Sequence, residues 1–106
     1  MAQLTLFDNE TESRFQTYLA ENPQVWEAFV KFTSEAIRAG HKRLSAEMIV
    51  NRIRWETMIS EKNSTFKINN DFKPFFARKF MLEYPIYDGF FELRKSKADA
   101  EMSLDK

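Results

Sequence analysis

The chain has 106 residues, the size of one small domain, and its 43% hydrophobic and 15% aromatic content is enough for one real core. It contains no Cys, which excludes a disulfide framework and any thiolate metal site, and it has only two Gly and three Pro. The formal net charge is zero, no apolar run reaches the length of a membrane span, and the first residues lack the basic start and apolar stretch of a secretory signal. A cytoplasmic protein without a membrane contact is expected.

The neutral total hides a pattern. Residues 1–12 carry three acids and no base, whereas residues 13–98 hold fifteen Lys/Arg against ten Asp/Glu, a net of +5. All of that excess lies between residues 42 and 79, with nine bases against four acids. A basic middle in a neutral chain suits a polyanion partner, and equally suits an ordinary solvated surface.

In chain order, residues 1–12 read as a flexible tail with a short apolar patch, and 99–106 as a frayed, disordered polar end. The body, 13–98, is mainly helical. Ser13 to Ala20 predicts a short helix with Phe15, Tyr18 and Leu19 on one side. Asn22-Pro23 signals a helix start: Asn accepts from free N–H groups and Pro has no N–H to leave unpaired. That helix runs to about Ala39, with Trp26, Phe29, Val30, Thr33 and Ile37 as its apolar stripe and Gly40 as its left-handed stop. Ser45 caps a third helix over 46–57, turning Ile49, Val50 and Ile53 inward.

Thr65 to Ile68 alternates like a short strand. Asn69-Asn70-Asp71 caps a helix to about Glu83, with Phe72, Phe75, Phe76 and Phe80 on one face, and Tyr84-Pro85 ends it. Asp88-Gly89 is a turn signal before the strand-like Phe90 to Arg94. The expected fold is a small, mainly α domain with a minor two-stranded β element. It resembles a winged helix-turn-helix, with 46–57 as supporting helix and 70–83 as recognition helix. The departure is the gap of roughly twelve residues between them, where the simple motif uses three or four.

The tail holds Gln3-Leu4-Thr5-Leu6-Phe7. This run resembles the Gln-Leu-x-Leu-Phe peptide by which bacterial polymerases, repair proteins and replication regulators bind a hydrophobic pocket on each subunit of the replicative sliding clamp. Gln3, Leu4, Leu6 and Phe7 match every fixed position. The resemblance implies that Leu6 and Phe7 fill the pocket, worth roughly 1.5–3 kcal/mol each if fully buried. It also implies that Leu4 fills a smaller site and that the Gln3 amide makes hydrogen bonds. The same five residues also suit an edge strand, or a lid on the domain's own core.

Little is arranged for catalysis. His41 is a single loop histidine, the two glycines make no phosphate loop, and the carboxylates are scattered. No catalytic residue, metal or cofactor is expected, and the chain is read as no enzyme. DNA is the expected partner of the body: Arg52 and Arg54 outward on the third helix, and Lys67, Asn69, Asn70, Lys73, Arg78 and Lys79 around the start and exposed side of the next. Capping is the commoner use of Asn at a helix start. Arg78 suits phosphate, guanine, or an ion pair with Glu83 or Asp71. Trp55 suits the core better than base stacking. Phe75, Phe76 and Phe80 belong to the core.

A second resemblance rests on Ile53-Arg54-Trp55, Ile68-Asn69-Asn70, Ala77-Arg78 and Phe90-Phe91-Glu92-Leu93-Arg94. These look like small proteins of bacteriophages and prophages, which implies an origin and no mechanism. The leading expectation is a phage-type adaptor that docks on the clamp by its tail and contacts DNA through its body. A winged-helix transcription regulator and an inhibitor of a host replication or defence protein are the alternatives. The oligomeric state is open.

Overall fold

The computed structural model describes residues 6–61 and 66–92, with side chains from Glu10 onward. Four α-helices follow in order: α1 (Leu6–Glu21), α2 (Pro23–Arg38), α3 (Ala46–Ser60) and α4 (Lys73–Glu83). A 3-10 turn, Asn70–Phe72, leads directly into α4, and a second, Pro85–Tyr87, follows it.

The boundaries show the local chemistry that sets them. Asn22 is the N-cap of α2, but its side chain does not cap: Nδ2 donates backward to the Tyr18 carbonyl at 2.9 Å, closing the end of α1. Pro23 then opens α2 at a position where no N–H is needed. Gly40 stops α2 at φ +102, with its N–H on the Ile37 carbonyl and the His41 N–H on the Ala36 carbonyl. That pair of bonds is the Schellman arrangement, and its left-handed residue favours glycine. Ser45 caps α3 as expected, its hydroxyl accepting from the Met48 N–H at 3.2 Å. Asn69 caps the first 3-10 turn through Oδ1 on the Asp71 N–H at 2.8 Å.

The core is largely a set of phenylalanines. Phe29 of α2 stacks on Phe76 of α4 with ring centres 4.9 Å apart, and also meets Phe91 at 5.4 Å. Phe15 of α1 meets Phe76 edge-on at 5.0 Å and Phe72 at 5.5 Å. Phe80 packs edge-on against Phe91 at 5.6 Å. Edge-to-face and offset pairs add about 0.5–1.5 kcal/mol each beyond the apolar area they bury. From α3, Ile49, Val50 and Ile53 close the remaining side, so α2, α3 and α4 pack around one cluster with α1 laid across α2.

Four expectations need amending. Helix α1 begins at Leu6, not Ser13, so its first turn takes in the last two residues of the Gln3–Phe7 run. Phe66–Ile68 has no regular structure where a strand is expected; Thr65 lies outside the described residues. Phe91 makes a single parallel bridge with Leu44, and no strand occurs among the described residues; Leu93 and Arg94 lie outside them. Trp55 is 56% exposed and is not a core residue. The core faces of α3 and α4 otherwise agree with the periodicity, including Phe72, Phe76 and Phe80.

Candidate functional site

The residues expected to contact DNA separate into three groups. The first is committed to the fold. Arg54 extends from α3 to the segment that precedes α4: Nη2 donates to the Ile68 carbonyl at 2.6 Å and to Asn70 Oδ1 at 2.8 Å, while Nη1 donates to Asn51 Oδ1 at 2.8 Å. Tyr18 of α1 donates from its hydroxyl to the neighbouring Lys67 carbonyl at 2.9 Å. Burial pushes the Tyr18 phenol above its ordinary range, partly offset by the nearby Arg54 charge. Asn69 caps and Asn70 accepts from Arg54, so both asparagines serve structure.

The second group is held in surface ion pairs. Arg52 donates from Nε to Glu56 Oε2 at 2.8 Å, lies 3.8 Å from Glu35, and sits over the Phe32 ring at 4.3 Å. Lys73 pairs with Glu47 at 3.6 Å. Lys79 pairs with Glu83 at 2.7 Å and lies over Trp26 at 5.0 Å. Exposed pairs of this kind are worth about 0–1 kcal/mol, so a phosphate can displace the carboxylate. Their positive charge is nevertheless compensated at rest.

Lys67 and Arg78 form the third group. Both are exposed and neither enters an ion pair among the described residues. Arg78 lies over Phe75 at 5.3 Å, and Glu83, one of the acids expected to pair with it, is taken by Lys79 instead. The pairing follows helical geometry, since Lys79 and Glu83 are four apart and share a face.

A further basic element emerges from the turn between α2 and α3. Arg38, His41, Lys42 and Arg43 are all exposed there, and none of the three permanent bases enters an ion pair among the described residues. The Schellman stop at Gly40 brings this run into one tight turn. Its signal is visible in the sequence as Arg38-Ala-Gly-His-Lys-Arg43, but averaging charge over residues 13–41 conceals Arg38. Asp88 lines the same groove as His41 and Lys42 without forming an ion pair with Lys42 among the described residues.

Of the tail residues, Gln3 and Leu4 lie outside the described residues, while Leu6 and Phe7 stand at the start of α1. The described residues hold no group of three or more His, Asp or Glu placed to bind a metal, and no helix among them is long and apolar enough to cross a membrane. No protein-family profile matches the chain, and neither a curated protein nor a solved structure matches it.

Proposed function

We propose that this chain is a small phage-type adaptor that docks on the bacterial replicative sliding clamp through Gln3-Leu4-Thr5-Leu6-Phe7 and touches DNA through its basic body. The observation that carries the reading is the match of Gln3, Leu4, Leu6 and Phe7 to every fixed position of the clamp-binding peptide. An extended docking peptide requires the first turn of α1 to open. The cost is small, because the first N–H groups of a helix lack intrahelical partners and its ends fray. Direct binding of the purified chain to the clamp ring, beside a Leu6→Ala, Phe7→Ala form, tests this part.

The DNA contact rests on Lys42, Arg43, Arg38, Lys67 and Arg78, which are exposed and enter no ion pair among the described residues. It is the sequence-independent kind, in which bases displace counterions from phosphate. Replacing Lys42 and Arg43 by Ala is expected to weaken duplex binding at low salt and to reduce the slope of log K against log salt by roughly two. An unchanged slope would assign the contact elsewhere.

The finer fold reading belongs to the same proposal: a winged-helix-like body with α3 as support and α4 as recognition helix. It draws on the order of the helices and on the Leu44–Phe91 bridge, a single parallel contact that ties the segment before α3 to the segment after α4. The same exposed bases suit the second reading, a winged-helix transcription regulator. The regulator would bind one DNA sequence preferentially, and would do so equally well without residues 1–10.

A further inference from the structure

Helix α3 has two apolar faces and the fold uses one. Ala46, Ile49, Val50 and Ile53 enter the core. Met48, Trp55, Met58 and Ile59 point away from it, exposed by 58, 56, 59 and 56%. Trp55, Met58 and Ile59 are neighbours at helical spacing, and Met48 lies two turns before Trp55 with Arg52 between; large apolar side chains gathered so on one 15-residue helix mark a contact surface. The face is also electrically quiet. Its base, Arg52, is held between Glu56 and Glu35. A nucleic-acid backbone would find little to attract it here, whereas a protein surface would bury hydrocarbon.

The order of residues identifies the partner. Met48, Arg52, Trp55 and Ile59 follow one another at intervals of four, three and four, the spacing of a coiled-coil seam. Two such helices run side by side in either direction. In parallel, Arg52 would face Arg52 and Trp55 would face Trp55, opposing like charges. In antiparallel order, about a two-fold axis between positions 53 and 54, Met48 faces Ile59 of the second copy and Arg52 faces Trp55 of the second copy. Both contacts then occur twice, as an isologous interface requires. One flat side of the Arg52 guanidinium already lies on Phe32 at 4.3 Å, and the other is suited to an indole, a favourable cation–π partner.

We infer that α3 is the seam of a homodimer, two copies packing antiparallel through Met48, Arg52, Trp55 and Ile59. The inference is independent of the clamp and DNA readings.

Sedimentation of the intact chain, from low micromolar to several hundred micromolar, tests it. The mass is expected to rise with concentration from 12.6 kDa toward twice that value. Trp55→Lys, exposed in the single chain, is expected to retain the helical circular dichroism and to weaken the association roughly tenfold or more. The chain has no Cys, so orientation can be read by cross-linking. A Met48→Cys chain mixed with an Ile59→Cys chain should give a disulfide heterodimer, and Met48→Cys alone should give little. A mass fixed at the monomer value overturns the inference, as does association that Trp55→Lys leaves intact. Homotypic Met48→Cys cross-linking as strong as the mixed pair overturns the antiparallel order.

Discussion

Thr33 is wholly buried on α2, and its hydroxyl finds no partner among the described residues. Its place in the apolar stripe is legible from helical period alone, since position 33 follows 26, 29 and 30 on one face. A polar atom placed there loses water and recovers nothing, a cost of about 1–3 kcal/mol. Thr33→Val keeps the branched shape and removes the orphaned hydroxyl. It is expected to stabilise the fold by about 1 kcal/mol, or roughly 4–8 °C in Tm, measured by thermal unfolding. A lower Tm would mean that the hydroxyl has a partner or a bound water. Trp55 shows the opposite difficulty. A large aromatic in mid-helix is a core residue by its own chemistry, and only the packing of Ile49, Val50 and Ile53 on the neighbouring face shows that Trp55 must turn outward.

At the scale of elements, Asn22-Pro23, Gly40, Ser45 and Asn69 mark boundaries that the structure keeps, because caps and stops depend on a few adjacent atoms. The segment at 66–68 is not legible in that way. Its alternating pattern suggests a strand, but a strand needs a partner edge, and these residues are instead strapped down from both sides. Tyr18 holds the Lys67 carbonyl, Arg54 holds the Ile68 carbonyl and Asn70, and Ile68 is buried beneath. Contacts separated by 14, 16 and 49 positions leave no local trace in the sequence. Arg54 therefore works as a fastener. Arg54→Gln is expected to cost about 1–3 kcal/mol in denaturant unfolding, with the salt slope of any DNA binding unchanged. Stability held within about 0.5 kcal/mol, combined with weaker DNA binding, would return Arg54 to the nucleic-acid surface.

Over the whole molecule, the mainly helical body and most of its phenylalanine core follow from composition and period, whereas the distribution of its charge does not. A count of bases between 42 and 79 treats Arg52, Arg54, Lys73 and Lys79 like Lys42 and Arg43. Folding engages the first four with carboxylates and carbonyls and leaves the other two in an open turn. The proposed clamp tail and the proposed α3 seam would combine simply. A dimer carries two tails, a ring-shaped clamp offers a pocket on each subunit, and weak contacts in tandem reinforce each other through effective concentration.

Docking by the proposed clamp peptide is read most directly from the affinity of the intact chain for purified bacterial sliding clamp beside that of the Leu6→Ala, Phe7→Ala variant. Binding by the intact chain is expected, with a loss of roughly 3 kcal/mol or more, over a hundredfold, in the variant. Equal affinity in the two, or no binding by either, would contradict it.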